Sequence, residues 1–165
     1  KAFDRPQWQK EYKNVPDSER PMTPKGKIEF TLFAQRLQHT IETIDIIWSS
    51  PYVRTMQTAE ILADIYPKTP IEQQSALIHD AKWSSLEKLL LEDYKNKRTI
   101  ALVGHDSHLT YLCSKLMGYP KKDEIIVFKK GACALFDVKK SKDGLRGELE
   151  AFIRPDFLLN LGKKP

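Results

Sequence analysis

The segment 99–112, TIALVGHDSHLTYL, constrains the fold more than any other part of the sequence. Residues 99–103 have the pattern of a buried strand, which Gly104 and His105 bring to an end. Apolar residues then recur at helical spacing, at Leu109, Leu112, Leu116 and Met117. Because open α/β sheets bind ligands where a parallel strand turns into a helix, we expect a functional site at Gly104, His105 and Asp106.

The rest of the chain alternates between helical and strand patterns. Helical spacing predicts a five-turn helix at 24–44, capped by Thr23, and shorter helices at 52–66 and 83–94. Strand patterns occupy 45–49, 75–78, 132–138 and 148–153, with a hairpin-like Asp-Gly pair before the last. Residues 1–22 are polar and rich in proline, which predicts a surface loop. Strands interleaved with helices and finished by a hairpin predict an α/β fold with a mixed sheet.

Length and composition limit the classes of function. A chain of 165 residues suits one compact domain, and its hydrophobic share of 41% and charged share of 30% are ordinary for a globular protein. No apolar run approaches the roughly 20 residues that a membrane span requires. The net charge of +5 favours a phosphorylated or acidic partner. Since no recognition motif accompanies this charge, we predict no nucleic-acid partner and no membrane association.

The two cysteines, Cys113 and Cys133, have neither CxxC nor any other metal-ligand spacing. Lone thiols that act as small buried hydrophobic groups are typical of a reducing compartment. We therefore predict a cytoplasmic protein without a metal site.

Two strand-to-helix junctions carry polar residues, SSPYVRTMQTAEI at 49–61 and LVGHDSHL at 102–109. Such junctions converge on one edge of an α/β sheet, where helix N-termini offer N–H groups and a positive dipole end. Arg54 adds a planar, permanently charged fork that suits phosphoryl oxygens. His105 can donate to the same group or move protons near neutral pH. The spacing therefore predicts an anion site of the size of a phosphate.

Four segments, in the same order along the chain, resemble the histidine phosphatase superfamily. SSPYVRTMQTAEIL resembles the SSPxxRxxQTAEI segment of that superfamily, and LVGHDSHL resembles its second-histidine motif. RPMTPKGK and KKGACALFDV resemble a segment and a strand of its small SixA-type phosphohistidine phosphatases. The resemblance extends from Arg20 to about Ile153, most of the chain.

This resemblance implies a phosphoglycerate mutase-like fold, a three-layer α/β/α sandwich with a mostly parallel mixed sheet, as a single domain over residues 1–165. It also implies covalent phosphoryl transfer, in which a first histidine attacks phosphorus and water later cleaves the phosphohistidine. Arginines and a second histidine bind the equatorial oxygens in this reaction. Because such chemistry depends on positioning and charge neutralisation, no metal or other cofactor is expected.

The resemblance also assigns roles to individual residues. Arg54 matches an arginine of the phosphate pocket, and His105 matches the second histidine. Gly104 matches the glycine that leaves room beside the phosphate. Ser50 and Thr23 match positions that pack around the pocket or hydrogen-bond into it.

The nucleophilic histidine of the superfamily lies in an RHG or RHA tripeptide, which this sequence lacks. KAFDRPQ resembles the residues that come directly after that tripeptide, so we expect the nucleophile and the first arginine immediately before Lys1. The other histidines do not suit the role. His108 is expected to be solvated, with a place at the rim of the pocket as the alternative. Without an Arg-His pair upstream, the chain would be a phosphate-binding module that does not turn over substrate.

Two carboxylates are candidates for the general acid. Asp106 directly follows His105, as in the acid phosphatase branch, and is favoured, although it could instead cap the following helix. Asp80 lies where the phosphoglycerate mutase branch has its acid. A protein with no carboxylate acid is the third option, because the imidazole of a phosphohistidine leaves more readily than an alkoxide.

We therefore predict a metal-independent phosphatase of the SixA type that acts on a phosphohistidine protein. A small phosphate ester is the alternative substrate. The domain is too short for the cap insertions that enclose larger substrates, which favours an open site and a protein substrate. Arg5 and Arg20 could touch the substrate from the N-terminal loop, while Trp8 and Tyr12 are expected to pack that loop down.

Overall fold

A computed structural model describes residues 1–96, 98–119 and 126–160. The chain separates into two compact units. The first unit comprises Lys1–Ser75 and Thr99–Val103, and the second comprises Ala76–Arg98 and Gly104–Pro165. A single domain over the whole chain stays a prediction.

The first unit consists of a three-stranded sheet and three helices. Its helices are α1 (Arg5–Glu11), α2 (Pro24–Leu37) and α3 (Val53–Ile65), with a 3-10 turn at Asp17–Glu19. Its strands are β1 (Ile46–Ser49), β2 (Ile71–Gln73) and β3 (Ile100–Val103), in the order β2-β1-β3. All pairs are parallel, and β1 is central and wholly buried.

The register of this sheet aligns the ends of β1 and β3, because Ser49 lies opposite Val103. The main-chain N–H of Ser50 continues the ladder by donating to the oxygen of Val103 at 2.9 Å. The two junctions identified from the sequence therefore begin at neighbouring strand ends.

The core of the first unit lies where α2 and α3 cover one face of β1. Ala34 of α2 and Ala59 of α3 are fully buried there together with Ile47 of β1. Helix α2 is capped as predicted, with the Thr23 hydroxyl accepting from the N–H of Gly26 at 2.9 Å. It ends at Leu37, however, rather than continuing to residue 44.

Two other local predictions are wrong. The strand expected at 75–78 is a 3-10 turn at Ser75–Leu77, and the real strand, β2, precedes it because its main chain pairs with β1. The loop expected over 1–22 contains α1, whose Trp8 is buried and stacks on Tyr12 with ring centroids 4.2 Å apart. A helix this short buries a single side chain, so it leaves no periodic pattern in the sequence.

The second unit contains three helices and a β-hairpin. The helices are α4 (Trp83–Asp93), α5 (Asp106–Leu116) and α6 (Pro155–Asn160). The hairpin strands are β4 (Cys133–Ser141) and β5 (Gly144–Ile153), which pair antiparallel. Gly144 has a φ of +114°, a conformation that side chains disfavour, and it closes the predicted hairpin turn. Leu86 of α4 and Leu112 and Leu116 of α5 are buried in this unit.

The α/β class with a mostly parallel sheet is confirmed. Hydrogen bonds divide the described strands into a parallel sheet and an antiparallel hairpin, where the sequence pattern predicts one mixed sheet. Strand patterns reveal which segments are extended, whereas the choice of partner depends on long-range pairing. Within the described residues, no helix is long and apolar enough to cross a membrane.

Candidate active site

Arg54 lies in the first turn of α3, one residue after the helix begins at Val53. The buried hydroxyl of Thr55 lies within hydrogen-bond distance of the main-chain oxygens of Ser50 and Tyr52, at 2.8 and 2.7 Å. These contacts hold the turn that connects β1 to α3. The sequence SSPYVRT therefore determines the main-chain position from which Arg54 projects.

Asp17 and Tyr52 both contact the guanidinium of Arg54. Its Nη1 donates to the main-chain oxygen of Asp17 at 2.7 Å, and its Nη2 donates to the Asp17 carboxylate at 3.1 Å. The guanidinium carbon also lies 4.9 Å from the ring centroid of Tyr52, a cation–π distance. Only 15% of the Arg54 side chain is exposed, so this charge is largely buried. Burial lowers the pKa of Arg54, and the charge of Asp17 opposes that effect.

Asp17 is the centre of a cluster of cationic side chains. Its Oδ1 accepts from Nε of Arg20 at 2.7 Å and lies 3.9 Å from Nε of Arg5. Burial by itself would raise the pKa of the Asp17 carboxyl, but the hydrogen bond from Arg20 and the charges of Arg54, Arg20 and Arg5 lower it. Sequence reasoning named Arg5 and Arg20 as residues of the loop but missed Asp17, whose only signal was its place in the segment DSER.

Ser50 and Thr23 occupy structural positions in the first unit. Ser50 is fully buried, and its main-chain oxygen accepts from the hydroxyls of Ser49 at 3.0 Å and Thr55 at 2.8 Å. Thr23 caps α2 and also donates to the main-chain oxygen of Lys1 at 3.1 Å. The main chain of Lys1 lies so close to Gly26 that any side chain there would overlap it. Both predicted residues thus shape the main chain near the start of a helix.

His105 caps the N-terminus of α5 in the second unit with its main chain. Its oxygen accepts from the N–H groups of His108 at 3.0 Å and Leu109 at 2.9 Å, while its imidazole makes no capping hydrogen bond. The ring of His79 meets the His105 ring edge to face, with centroids 6.1 Å apart. The imidazole of His105 is thus placed at a helix N-terminus, where the dipole favours an anion.

Gly104 is closely packed inside the second unit. A Cβ at this position would lie 3.3 Å from the main-chain oxygen of Leu77 and 3.4 Å from Cδ2 of Leu109. The residue before His105 therefore has little room for a side chain.

The two candidate acids differ in their surroundings. Asp106 is the first residue of α5, and its Oδ1 accepts from the hydroxyl of Thr110 at 3.1 Å. Asp80 lies in the turn before α4, where its carboxylate is 3.9 Å from Nδ1 of His79 and its side chain is 71% exposed. Asp106 is therefore adjacent to His105 in the sequence, and a hydrogen bond orients its carboxylate.

A cavity of about 560 Å³ opens in the second unit between the start of α4 and the start of α5. Its walls are mostly polar and aromatic: His79, Asp80, Ala81, Lys82, Trp83, Ser84, Ser107, His108 and Tyr111. His108 is buried in this wall, so the expectation that it is solvated is wrong. The side chain lies one turn into α5 on the face that packs inward, which a single histidine in the sequence could not reveal. Among the described residues, no group of three or more histidines, cysteines or carboxylates could hold a metal ion.

The predicted site residues therefore fall into two sets. Arg54, Ser50 and Thr23 belong to the first unit, where Asp17 joins them. Gly104, His105, Asp106 and Asp80 belong to the second unit.

Comparison with solved structures identifies similar folds. The protein histidine phosphatase SixA complexed with tungstate is 22% identical, with 87% of this chain and 90% of that chain covered and a TM-score of 0.72. A mycobacterial glucosyl-3-phosphoglycerate phosphatase complexed with VO3 is 13% identical, with coverage of 81% and 87% and a TM-score of 0.66. Phosphoglycerate mutase from Plasmodium falciparum is 15% identical, with coverage of 79% and 84% and a TM-score of 0.57. The phosphoglycerate mutase-like fold is thereby confirmed.

Comparison of sequences identifies the family. An uncharacterised protein of Picosynechococcus is 49% identical over 47 residues, a match that spans 28% of this chain and 28% of that relative. The sequence profile of the histidine phosphatase superfamily (branch 1) matches residues 5–93, which include Asp17 and Arg54. The chain belongs to the histidine phosphatase superfamily, branch 1.

Proposed function

We propose that this protein is a phosphatase that transfers a phosphoryl group to a histidine and then to water. The observation that carries the proposal is the buried guanidinium of Arg54, held in the first turn of α3 within the segment SSPYVRTMQTAEIL. A permanently charged fork at the start of a helix suits the oxygens of a phosphoryl group. Membership of the histidine phosphatase superfamily supports a role of the Arg54 guanidinium in binding a phosphoryl group.

Arg54 and His105 have the role of phosphoryl ligands in this proposal. Charge develops on the equatorial oxygens during phosphoryl transfer, and donors that are already in position stabilise it. His105 supplies an imidazole at the N-terminus of α5, and the main-chain N–H groups of that turn add further positive potential. Asp106, directly after it, protonates the leaving group where the substrate needs an acid. No step in this scheme requires a metal ion.

The substrate that we favour is a phosphohistidine on another protein. The fold is similar to that of SixA, and the segment that joins β2 and β3 contains α4 and short 3-10 turns rather than an inserted cap domain. A segment without an inserted domain suits a phosphorylated side chain presented on a protein surface. The two lone thiols are consistent with action in the cytoplasm.

A small phosphate ester is a second candidate substrate. The cavity of about 560 Å³ in the second unit has the size of many small-molecule sites, and its polar and aromatic walls suit a hydroxylated ligand. The similarity of the fold to the mycobacterial glucosyl-3-phosphoglycerate phosphatase supports this candidate.

The deciding experiment compares turnover of a phosphohistidine protein with turnover of small phosphate monoesters, both in the presence of a chelator. The protein is assayed at its full natural length. We expect faster hydrolysis of phosphohistidine and an acid-labile, base-stable phosphoenzyme after rapid quenching. Binding of inorganic phosphate without turnover of any substrate would instead indicate a phosphate-binding module.

A further inference from the structure

We propose that Thr110 is a positioning residue that holds the carboxyl group of Asp106 in place for proton donation to the leaving group. This inference rests on the proposed function, in which Asp106 is the general acid. Both residues belong to α5 and lie about one helical turn apart, inside the second unit.

The contact between the two side chains involves one oxygen of the carboxyl group. The hydroxyl of Thr110 donates to Oδ1 of Asp106, and the two oxygens are 3.1 Å apart. Because the hydrogen of the hydroxyl points at Oδ1, the acidic proton of Asp106 is directed to Oδ2. Asp106 is exposed at the start of α5, so its carboxyl group is accessible to a leaving group.

A second contact, outside α5, fixes the hydroxyl of Thr110. Its Oγ1 also lies 3.3 Å from the main-chain oxygen of Ile126, a buried residue. A threonine in a helix has two favoured χ1 rotamers, and one hydroxyl hydrogen can be shared between two acceptors. The Ile126 oxygen therefore favours the rotamer that places Oγ1 beside Asp106.

The first turn of a helix offers a carboxylate other partners. Its N–H groups have no acceptor within the helix, and they carry the positive end of the dipole. The hydrogen bond to Thr110 instead draws the carboxyl group of Asp106 along the helix. A general acid must lie within hydrogen-bond reach of the leaving atom, so restricting its orientation in advance lowers the reorganisation needed in the transition state.

The hydrogen bond from Thr110 also strengthens during the reaction. As a histidine forms its bond to phosphorus, the bond from phosphorus to the leaving nitrogen or oxygen breaks and its electron pair goes to the leaving atom. That atom takes the proton from Oδ2 of Asp106, which becomes a carboxylate. A hydrogen bond to an ionised acceptor is stronger than one to a neutral acceptor, so Thr110 stabilises the transition state more than the ground state.

Three variants of Thr110 separate positioning from structure. Thr110→Val keeps the branched shape without the hydroxyl, Thr110→Ala removes the hydroxyl in a good helix former, and Thr110→Ser retains it. We expect kcat for phenyl phosphate to fall by on the order of 10-fold in the valine and alanine variants, with KM changed by less than about 3-fold. For p-nitrophenyl phosphate, kcat should fall by less than about 3-fold, because a good leaving group needs little protonation. Thr110→Ser should stay within about 3-fold of wild type for both substrates.

A double variant tests whether Thr110 acts through Asp106. Thr110→Val added to Asp106→Asn should lower kcat by less than about 2-fold, because the acid is already lost. The matched control is Thr31→Val in α2, since the Thr31 hydroxyl donates only along its own helix, to the main-chain oxygen of Lys27 at 3.0 Å. This control should leave kcat for both substrates unchanged. Circular dichroism and the midpoint of urea unfolding verify that each variant is folded.

The outcomes distinguish this inference from the proposed function. Wild-type kcat for phenyl phosphate in folded Thr110→Val or Thr110→Ala would overturn the role of Thr110 alone. Equal losses for the two substrates, or an undiminished loss in the Asp106→Asn background, would also overturn it, since Thr110 would then act through another group. Hydrolysis of phosphohistidine without any hydrolysis of phenyl phosphate would overturn it too, because no acid would then assist a poor leaving group. A protein of full natural length that hydrolyses no phosphoryl compound would overturn both proposals.

Discussion

Arg54 and Asp17 are 37 positions apart in the sequence, yet the guanidinium of one is hydrogen-bonded to both the main chain and the carboxylate of the other. This pair connects the start of α3 with the turn that precedes α2. It also makes the candidate phosphate ligand part of an ion cluster with Arg20. A residue that the sequence presents as one arginine on a helix is therefore held in a defined orientation.

The fork of Arg54 should be irreplaceable by a simple positive charge. Arg54→Lys keeps the charge but cannot hold two oxygens in one plane, so we expect kcat/KM to fall by on the order of 100-fold to 1,000-fold. Steady-state kinetics with the preferred phosphoryl substrate measures the loss. Arg36→Lys, at an exposed position of α2, is the matched control and should behave as wild type. Activity of Arg54→Lys within about 2-fold of wild type would show that Arg54 is not a phosphoryl ligand.

Removal of the His105 imidazole should abolish most turnover without unfolding the protein. The main chain of His105 begins α5, whereas its side chain does not cap the helix, so alanine keeps the helix start. We expect kcat/KM of His105→Ala to fall by on the order of 100-fold or more. His39→Ala replaces an exposed histidine just beyond α2 and serves as the control. Equal losses in the two variants would contradict the assignment.

The identity of the general acid should be visible in the dependence on the leaving group. A proton donor matters most for a poor leaving group, so Asp106→Asn should lower kcat for phenyl phosphate by on the order of 100-fold and for p-nitrophenyl phosphate by less than about 10-fold. Asp80→Asn should leave both rates nearly unchanged, because the proposal assigns the proton to Asp106 beside His105. The opposite result would make Asp80 the acid, and no effect in either variant would mean that no carboxylate acts.

The Asp17 cluster should make stability depend on pH. Because the pKa of the Asp17 carboxyl is lowered in the folded chain, its ionised form contributes stability above the ordinary value of 3.8, and this contribution is lost as the pH falls through the lowered pKa. Asp17→Asn should lower the free energy of unfolding at neutral pH by about 1 to 2 kcal/mol. Urea unfolding of both proteins should show this difference shrinking in acid. A difference that is constant over the acid range would exclude the ionised cluster as its cause.

The two thiols should be unreactive in the native protein. Burial raises the pKa of Cys113 to about 12, with a smaller contribution from Cys133, and burial raises the pKa of Cys133 to about 11. Since the thiolate is the reacting form, alkylation by iodoacetamide at about pH 8 should be on the order of 100-fold slower than in the urea-unfolded chain. Mass spectrometry of timed samples measures both rates. Rapid labelling of the native protein at either cysteine would contradict these raised pKa values.

The elements with strong local signals are those that the sequence predicts correctly. Thr23 caps α2, and the apolar spacing of α3 and α5 agrees with the structure because helical periodicity and capping depend on nearby residues. The predicted end of α2 is too late, since Ile41 and Ile44 continue the apolar spacing but pack from the loop after Leu37. The predicted position of β2 is wrong because its pairing with β1 decides which residues are extended.

Local patterns in the sequence are sufficient to identify the family segments, the helix that bears Arg54 and the strand-to-helix junction before Asp106. The folded chain is needed to show that Asp17 holds Arg54, that Ser50 is buried and that His108 lines a cavity. The physical reason is that a side chain's partner depends on main-chain segments brought together across long separations, such as the 37 positions from Asp17 to Arg54. Local spacing places a charged group on an element, and tertiary contacts supply the counter-charge and burial that define its role.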